Sequence, residues 1–340
     1  MSIPCTIVGF GAVGKLLYRI VNERKLPVDT PRVFARTART ESLDGQEIAV
    51  ETLSEDAFPA GGVALFAGSE GVGSVSEVWG RKAAERGCVV IDNSSTFRMD
   101  PDVPLVVPEV NADALTADTK LIANPNCSTT QMVVAIAPIH RAAGIERIVV
   151  STYQSTSGAG GYAADIMREE ARSALAGEAG KHPESPFAKQ IAFNCVPLIG
   201  DPDATGYTSE ERKMIYETRK ILGDDSIAVA PTTVRVSVEV GHAETVNLQL
   251  RRPLTAQQAR ELLAQAPGVV LVDDPANPAA SPTPLDSAGR DEVFVGRVRQ
   301  DTSVANGLDL WVVADNLRKG AATNAVQIAE VLFEKGYLGA

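Results

Sequence analysis

Three closely spaced glycines follow a short β-prone run near the start of the chain. Residues 5–8 lead into Gly9, Gly11 and Gly14, and residues 15–21 carry apolar side chains at helical spacing. A G-x-G-x-x-G sequence between a strand and a helix is the dinucleotide-binding fingerprint, because glycine permits the tight turn, the close approach of a pyrophosphate and the packing of helix on strand. The fingerprint predicts a Rossmann-type domain, with Ala12 and Val13 also at the cofactor.

A basic turn follows the predicted second strand, residues 32–35. It contains Arg36, Thr37, Arg39 and Thr40 and lacks the acidic residue that would bind a ribose 2′-hydroxyl. Two arginines and two hydroxyls suit a 2′-phosphate instead, so the sequence favours NADP over NAD. The alternative is a solvated basic turn without a ligand.

The first third of the chain alternates strand-like and helix-like segments. Further strands are predicted at residues 63–66, 88–91, 105–107 and 121–123, with a helix at 75–86. Such alternation predicts an α/β fold with a mostly parallel, doubly wound sheet. Ligands bind such sheets at the carboxyl ends of the strands, so the loops after these strands are expected to line one crevice.

From residue 145 onward the pattern changes to long β-rich runs with few helices. Runs at 147–154, 228–240, 245–251, 293–299 and 309–314 predict an α+β domain with a mixed or antiparallel sheet. The predicted domains are a Rossmann domain at 1–125, completed by the C-terminal segment 320–340, and a catalytic and dimerisation domain at 126–319.

The N-P-N-C sequence at 124–127 places a cysteine just before an apolar, helix-like run. Pro125 disfavours helix at Asn124, and Asn126 is a good N-cap residue, so Cys127 is predicted at a helix N-terminus. Unpaired N–H groups and the helix dipole there favour an anion, and a thiolate is an anion. The alternative is a small buried hydrophobic residue.

Composition excludes several classes of partner and site. The chain of 340 residues carries a net charge of −11 without a basic block, which disfavours nucleic acid and anionic membranes. The four cysteines form no C-x-x-C pair and the three histidines do not cluster, so no metal site is predicted. With no signal peptide or apolar run of membrane length at hand, we expect a cytoplasmic protein.

Many separated motifs together resemble one family, aspartate-β-semialdehyde dehydrogenase. They are D-N-S-S at 92–95, V-P-E-V-N at 107–111, N-P-N-C-S-T at 124–129, S-T-Y-Q at 151–154, S-G-A-G at 157–160, V-R-V at 234–236, G-H-A-E at 241–244, D-N-L at 315–317 and K-G-A-A at 319–322. The resemblance implies NADPH-dependent reduction of L-aspartyl-4-phosphate to L-aspartate-4-semialdehyde and phosphate, on the route to lysine, threonine and methionine. It also implies a homodimer or a tetramer, and the choice between the two stays open.

The resemblance assigns a role to particular residues. Cys127 would be the nucleophile that forms a thioester, His242 the general acid/base and Gln154 the residue that orients the acyl group, while Asn126 would help to stabilise the oxyanion. The family pattern gives the remaining binding residues as Arg235 for the substrate carboxylate, Glu210 or its neighbour Glu211 for the ammonium, Arg98 and Lys213 for the phosphate, and Ser157, Gly158 and Asn316 for the cofactor.

Three departures from the family pattern lie on the cofactor side. The glycine loop is one residue shorter than usual, the turn from Arg36 to Thr40 is one residue longer, and Gly71-Val72-Gly73 replaces more hydroxyl-rich residues. Which arginine meets the 2′-phosphate therefore stays open. Two other functions are also open: reduction of a related acyl phosphate such as N-acetylglutamyl phosphate, and a catalytically silent paralogue that binds NADP.

Overall fold

The computed structural model describes residues 2–68, 73–178 and 180–339. It separates into two compact units, Met1–Asn126 with Ala321–Ala340, and Cys127–Gly320. These bounds differ by one residue from the predicted domains. Of the Gly71-Val72-Gly73 departure, Gly71 and Val72 lie outside the described residues.

The first unit contains a seven-stranded sheet that is parallel except for one edge strand. In chain order its strands are β1 (Cys5–Val8), β2 (Arg32–Ala35), β3 (Arg39–Leu43), β4 (Gln46–Thr52), β5 (Val63–Phe66), β6 (Val89–Asp92) and β7 (Leu121–Ala123). Their order in the sheet is β3-β4-β2-β1-β5-β6-β7, and only β3 is antiparallel to its neighbour. The central strands β1, β5 and β6 are buried along their whole length, as parallel strands covered on both faces must be.

The helices that the structure describes in this unit include one from the C-terminal part of the chain. They are α1 (Ala12–Glu23), α2 (Val75–Glu85), α3 (Pro108–Asn111) and α9 (Thr323–Glu334), which a π-helical turn at Arg318–Ala322 precedes. Ile328 and Leu332 of α9 are buried in one apolar cluster with Ile7 of β1 and Leu17 of α1. The C-terminal helix therefore forms part of the core of the first unit.

Three asparagine amides link α9 to the carboxyl ends of the strands. Asn324 Nδ2 donates to Asn124 Oδ1 at 2.7 Å, Asn124 Nδ2 donates to Asn93 Oδ1 at 2.9 Å, and Asn93 Nδ2 donates to the Phe66 carbonyl at 2.7 Å. Asn324 Nδ2 also donates to the Val106 carbonyl at 2.9 Å. Buried amides are stable only with such partners, so this ladder fixes the loops that follow β5, β6 and β7 relative to each other.

Two local predictions for the first unit were wrong. The segment from Arg36 to Thr40 is not only a turn, because β3 begins at Arg39 and forms a hairpin with β4. Asp44 and Gly45 connect the two strands with positive φ angles of 53° and 80°, the conformation of a type I′ turn. The predicted strand at 105–107 is only an isolated bridge from Leu105 to Ala123, since Pro108 opens α3 directly afterwards.

The second unit contains a mixed seven-stranded sheet. In chain order its strands are β8 (Ile145–Gln154), β9 (Cys195–Val196), β10 (Ala228–Val236), β11 (His242–Leu250), β12 (Val269–Leu271), β13 (Val293–Asp301) and β14 (Gly307–Ala314). The sheet order is β12-β13-β14-β11-β8-β10-β9; β10 is parallel to β8, β12 is parallel to β13, and the other pairs are antiparallel. The predicted fold class, a Rossmann-type sheet plus an α+β domain with a mixed sheet, is confirmed.

The helices of the second unit are α4 (Cys127–Ala143), α5 (Gly161–Leu175), α6 (Ser209–Leu222), α7 (Ala256–Ala264) and α8 (Pro284–Ser287). Helices α4, α6 and α7 pack against the sheet. On β11, alternate residues from His242 to Leu250 are buried, whereas Thr245 on the other face is exposed. Tyr153 on that other face is 37% exposed, and its ring centroid lies 5.7 Å from that of Trp311, so this face of the sheet is partly open to solvent.

Within the described ranges, none of the helices has the length and apolar character needed to cross a bilayer.

Two strand boundaries place a predicted site residue differently from the expectation. The run 228–240 ends as a strand at Val236, and β11 begins at His242 rather than at residue 245. His242 is therefore the first residue of a central strand and is buried. Gly241 precedes it with φ +93°, and a Cβ there would lie 2.8 Å from the Pro284 carbonyl oxygen, so glycine suits the bend into the strand.

Candidate active site

In the first unit, the glycine loop and the basic turn border one pocket of about 280 Å³. Its lining residues are Val8, Gly9, Ala35, Arg36, Thr37, Arg39, Phe66, Gly68, Val75 and Ser76. Gly9 has φ +91°, and a Cβ on Gly14 would lie 2.0 Å from the Gly9 carbonyl oxygen, so both positions require glycine. Gly11 is the N-cap of α1, and it has open space within 4 Å of its missing Cβ. The loop therefore meets the steric requirements for a pyrophosphate at a helix N-terminus.

The two arginines of the pocket have different electrostatic surroundings. Arg39 Nε lies 2.7 Å from Glu41 Oε1, and Lys15 Nζ lies 2.8 Å from Glu41 Oε2. Lys15 and Arg39 lower the pKa of Glu41, so this carboxylate is ionised and offsets part of the positive charge. Among the residues that the structure describes, Arg36 has no acidic partner within ion-pair distance, and it is exposed at the pocket.

Asp92 organises the loop that carries Arg98. Ser76 Oγ donates to Asp92 Oδ1 at 2.7 Å and the Ser94 hydroxyl donates to Oδ2 at 2.5 Å. Burial raises the pKa of Asp92, and these hydrogen bonds oppose the rise. Arg98 is 6% exposed, and its Nη2 donates to the Asn93 carbonyl at 2.7 Å. Arg98 is thus held at the carboxyl edge of the first sheet, as is Asn126, which is also buried.

In the second unit, α4 begins at Cys127, which confirms the prediction of a cysteine at a helix N-terminus. Cys127 is a free, partly exposed cysteine. A Cβ on Gly320 would lie 2.7 Å from Cys127 Cβ, so the backbone of residue 320 packs directly against the cysteine. The next residue, Ser128, accepts a 2.7 Å hydrogen bond from Gln154 Nε2. Gln154 is 1% exposed, so it is a fixed interior residue beside the start of α4 rather than an exposed glutamine.

His242 is fully buried, and one side of its ring is bound to the loop after β8. Nδ1 lies 3.0 Å from both the backbone nitrogen and the hydroxyl oxygen of Ser155, while Nε2 has no hydrogen-bond partner among the described residues. Burial lowers the pKa of His242 well below its ordinary value, and the nearby Arg235 charge lowers it further. The imidazole is therefore neutral near pH 7. A Cβ on Gly158 would lie 3.2 Å from Nε2, so glycine is needed beside this atom.

Asn316 holds together the segments on either side of His242. Its Oδ1 accepts from Ser155 Oγ at 3.0 Å, from Ser157 Oγ at 3.3 Å and from the Gly241 backbone N–H at 3.0 Å. Its Nδ2 donates to Ser157 Oγ at 3.1 Å. Asn316 and Ser157 were both predicted to contact the cofactor. They belong to the hydrogen-bond network around Ser155, on the Nδ1 side of the His242 ring.

Arg235 lies on β10, and its guanidinium is buried. Its Nη1 donates to the Ser155 carbonyl at 2.7 Å, and the side chain is 6% exposed. Burial lowers the pKa of Arg235, whereas the charges of Glu210 and Cys127 act in the opposite direction. An arginine remains charged in proteins even so. Arg235 therefore supplies a fixed positive charge that acts on Cys127, His242 and Glu210.

The two candidate glutamates at the start of α6 have different partners. Glu211 forms a capping box with Thr208, since its Oε2 accepts from the Thr208 N–H at 2.8 Å, and its Oε1 accepts from the Thr233 N–H at 3.1 Å. Glu210 is 8% exposed and accepts from Gln154 Nε2 at 3.3 Å. Lys213 Nζ lies 3.4 Å from Glu210 Oε2. Glu210 is thus the glutamate that contacts Gln154, whereas Glu211 binds the backbone N–H groups of Thr208 and Thr233.

The second unit therefore brings together the predicted residues that lie within it. Gln154 connects the start of α4 to Glu210, Arg235 and His242 meet at the Ser155 backbone, and Lys213 pairs with Glu210. Of the predicted residues in the first unit, Gly9, Arg36, Thr37 and Arg39 line the glycine-loop pocket. Gly11, Ala12, Val13 and Gly14 lie at the start of α1, Thr40 lies on β3, and Arg98 and Asn126 lie at the carboxyl edge of the sheet. Among the described residues no group of three histidines, cysteines or carboxylates could hold a metal ion.

Sequence reasoning missed two residues of this site, Ser128 and Ser155. Both are buried and hydrogen-bonded to a predicted catalytic side chain, Gln154 and His242 respectively. Each directly follows a predicted site residue in the sequence. The sequence signal was a polar residue directly after a predicted catalytic residue. This signal does not reveal which distant side chain the polar residue contacts.

Comparisons with known proteins show which family the chain resembles over its length. Two family models match the chain, "Semialdehyde dehydrogenase, NAD binding domain" over residues 5–117 and "Semialdehyde dehydrogenase, dimerisation domain" over residues 136–319. The aspartate-semialdehyde dehydrogenase of Aquifex aeolicus is 47% identical and covers 99% of this chain and 100% of its own length. That of Legionella pneumophila is 49% identical and covers 95% of this chain and 93% of its own length.

A solved structure extends the similarity to the fold. The crystal structure of aspartate semialdehyde dehydrogenase II from Vibrio cholerae, complexed with ASA, is 46% identical and superimposes with a TM-score of 0.90. The match covers 98% of this chain and 99% of that one. Sequence and fold thus agree over nearly the whole length, and the chain belongs to the aspartate-semialdehyde dehydrogenase family.

Proposed function

We propose that the chain reduces L-aspartyl-4-phosphate to L-aspartate-4-semialdehyde and phosphate with NADPH, reversibly and through a thioester on Cys127. The observation that carries the proposal is the convergence of three elements in the second unit. A cysteine begins α4, a buried neutral His242 begins β11, and a buried Arg235 acts electrostatically on both. A nucleophile, a proton carrier and an anion anchor are the groups that acyl transfer from an amino-acid acyl phosphate to a cysteine requires.

The charges around Arg235 match the two ends of a free amino acid. A substrate α-carboxylate suits the planar fork of Arg235, which binds carboxylates in a bidentate manner. The α-ammonium suits Glu210, because the Glu211 carboxylate already accepts hydrogen bonds from the Thr208 and Thr233 backbones. We propose that Lys213 and Arg98 bind the phosphate. An acylated nitrogen carries no charge for Glu210 to bind, which disfavours N-acetylglutamyl phosphate as the substrate.

The proposed chemistry begins with attack of the Cys127 thiolate on the acyl carbon. The bond from this carbon to the phosphate oxygen breaks, phosphate leaves with the electron pair, and a thioester remains. NADPH, held at the glycine loop of Gly9, Gly11 and Gly14, would supply the hydride that reduces the thioester. Cleavage of the carbon–sulfur bond would then release the aldehyde and restore the Cys127 thiolate. Gln154 orients the acyl group, and Asn126 with the Cys127 N–H stabilises the oxyanion.

His242 has a defined protonation state for its part in this reaction. The backbone N–H of Ser155 can only donate, so Nδ1 accepts and the proton of the neutral ring lies on Nε2. We propose that Nε2 donates this proton to the oxygen of the thiohemiacetal that hydride addition forms, and takes it back when the carbon–sulfur bond breaks and the aldehyde forms. Oxidation of the aldehyde runs the same two proton transfers in reverse order. Its lack of another partner among the described residues is consistent with that task.

For the cofactor, we propose that Gly9, Gly11, Ala12, Val13 and Gly14 hold the pyrophosphate of NADP. Arg36, with Thr37 and Thr40, would bind the 2′-phosphate. Arg36 is the better ligand of the two arginines because Glu41 already neutralises part of the charge of Arg39. Ser157, Gly158 and Asn316 would lie at the nicotinamide. The first unit would then be the NADP-binding domain and the second the catalytic and dimerisation domain.

Replacing Arg36 by alanine should lower kcat/KM for NADP by about 10- to 100-fold, because a charge-assisted bond to phosphate is lost. The value for NAD, which has no 2′-phosphate, should hardly change. Arg39→Ala is the matched control, with an expected loss below about threefold for NADP. Initial-rate kinetics with both cofactors provide the measurement. A larger loss for Arg39→Ala would assign the 2′-phosphate to that arginine instead.

We also propose that the protein is a homodimer that pairs through the second unit. The partly exposed sheet face with Tyr153 and Trp311 would form the contact. Apolar and aromatic residues of this kind are enriched at such interfaces. Sedimentation velocity should then give a particle of two chains, and a single-chain particle at micromolar concentration would contradict this assembly.

The proposed function predicts phosphate-dependent reduction of NADP by the purified, reduced protein with L-aspartate semialdehyde. Omission of phosphate should abolish steady turnover, because the thioester then lacks its acceptor. N-acetylglutamate semialdehyde is the comparison substrate, and a higher kcat/KM for it would favour the alternative acyl phosphate. No turnover with either aldehyde would identify a catalytically silent paralogue.

A further inference from the structure

The loop from residue 182 to 192 is attached at both ends to a single buried carboxylate. Glu170 on α5 is 2% exposed. Its Oε1 accepts from the His182 backbone N–H at 2.9 Å, and its Oε2 accepts from the backbone N–H groups of Ile191 and Ala192 at 2.7 and 3.1 Å. Three backbone donors on one desolvated carboxylate form strong, charge-assisted bonds. Glu170 thus closes the segment 182–192, which we call the Glu170 loop.

Phe187 lies in the middle of this loop and is 7% exposed. It belongs to a small apolar cluster with Ala163 and Met167 of α5 and with Ile191 and Val196. Ala163, Met167 and Glu170 are spaced by four and three residues, so they share one face of α5. One helix face therefore holds both the ends of the loop and its central ring.

The ring of Phe187 contacts the proposed carboxylate anchor. The Arg235 guanidinium carbon lies 5.8 Å from the centroid of Phe187. On another side, Arg235 Nη1 donates to the Ser155 carbonyl at 2.7 Å. Cation–π attraction is strongest for desolvated pairs, and Arg235 is buried. The Arg235 guanidinium thus lies beside a ring that the Glu170 loop positions.

We infer that Glu170 and Phe187 are positioning residues that align the Arg235 fork with the substrate α-carboxylate. Bidentate recognition depends on the orientation of the guanidinium plane, so a ring against that plane acts on substrate affinity more than on the reacting carbonyl. The inference rests on the proposed role of Arg235. It extends the substrate site to a helix and a loop that supply no direct ligand.

The test replaces Phe187 by leucine, which keeps an apolar side chain but removes the aromatic ring. KM for L-aspartate semialdehyde should rise about tenfold, with kcat within about twofold of the parent value and the KM values for NADP and phosphate unchanged. Glu170→Ala should raise the same KM, and Glu170→Gln should raise it less, because one acceptor oxygen remains. If the Phe187 and Glu170 variants lower kcat and leave the aldehyde KM unchanged, the inference is wrong.

The control for lost stability is Phe294→Leu in the same unit. Phe294 is 5% exposed and has its own arginine, Arg290, at 5.3 Å from the ring centroid. Its replacement removes a buried ring and a cation–π pair on β13, away from the Glu170 loop, so it should lower Tm in a comparable way without raising the aldehyde KM. A similar rise in KM for Phe294→Leu would show that general destabilisation, not alignment of Arg235, causes the effect.

An Arg235→Lys background separates this inference from the proposed function. Arg235→Lys alone should raise the aldehyde KM by at least about tenfold, since a lysine cannot form the bidentate contact. If it does not, the carboxylate anchor itself is wrong. If it does, adding Phe187→Leu should raise KM by less than about twofold, because the guanidinium that the ring aligns is absent. If Phe187→Leu raises KM by the same factor in the Arg235→Lys background as in the parent protein, the positioning role is wrong, whereas the role of Arg235 as carboxylate anchor stands.

Discussion

Replacing Cys127 by serine is expected to lower kcat for aspartate semialdehyde oxidation by at least about 100-fold. A serine hydroxyl is not ionised near neutral pH, so the helix N-terminus and Arg235 no longer have a thiolate to stabilise. The side chains are nearly the same size, and Cys127 is partly exposed, so Tm should change little. Steady-state kinetics and a thermal melt on the same preparation measure both quantities.

Cys195→Ser is the matched control for this change. Cys195 is a free, exposed cysteine in the same unit, on β9. Its replacement should leave kcat unchanged within about twofold, as expected for an exposed position outside the site. A loss below about threefold for Cys127→Ser would mean that Cys127 is a structural residue and that another group forms the covalent bond.

Replacing His242 by asparagine is expected to lower kcat by about 100- to 1,000-fold, the range typical of a lost general acid/base. Asparagine can occupy part of the same space and accept the Ser155 N–H bond, but it does not transfer protons near neutral pH. His140→Asn is the control, because His140 lies on α4 and accepts a 3.2 Å bond from the Ile145 N–H outside the site. A comparable loss of kcat in both variants would contradict the assignment.

The same histidine predicts how stability changes with pH. Because burial lowers the pKa of His242 well below its ordinary value, the unfolded chain takes up a proton at higher pH than the folded chain does. Where the unfolded state binds more protons, stability falls as pH decreases. The parent protein should therefore lose more unfolding free energy than His242→Asn between pH 7.5 and 5.5. Urea denaturation at both pH values measures the difference, and equal losses would contradict it.

Short sequence motifs were sufficient to predict those parts of the site that depend on local backbone geometry. Gly9 and Gly14 were predicted from spacing alone, and the structure gives both a steric reason. The helix start at Cys127 followed from Pro125 and the apolar run behind it. In each case, the relevant contacts are made within a few residues of the motif, so sequence patterns contain them.

The hairpin of β3 and β4 was also available from a local signal but was missed. Asp44-Gly45 is a preferred type I′ dipeptide, and residues 39–43 and 46–52 flank it. Residues 36–40 were interpreted as a phosphate-binding turn, so the strand that begins at Arg39 was not predicted. The pairing also explains why Arg39 lies beside Glu41, since alternate residues of one strand share a face.

Long-range partners were beyond the reach of the sequence. The choice between Glu210 and Glu211 depends on a bond to the Thr233 backbone, 22 residues away. Glu170 has no motif of its own, and its role follows only from the three N–H groups that fold around it. The family resemblance implies which residues would contact the substrate, but it gives no information about the residues that would hold them in place.

The central claim is that Cys127 carries the acyl group as a thioester. The most direct test mixes the protein with NADP and L-aspartate semialdehyde without phosphate, quenches the mixture in acid within one turnover and maps the peptides by mass spectrometry. The account predicts a burst of NADPH and one added aspartyl group on the peptide that contains Cys127, with neither in Cys127→Ser. An NADPH burst without that adduct, or an adduct on another residue, would contradict the account.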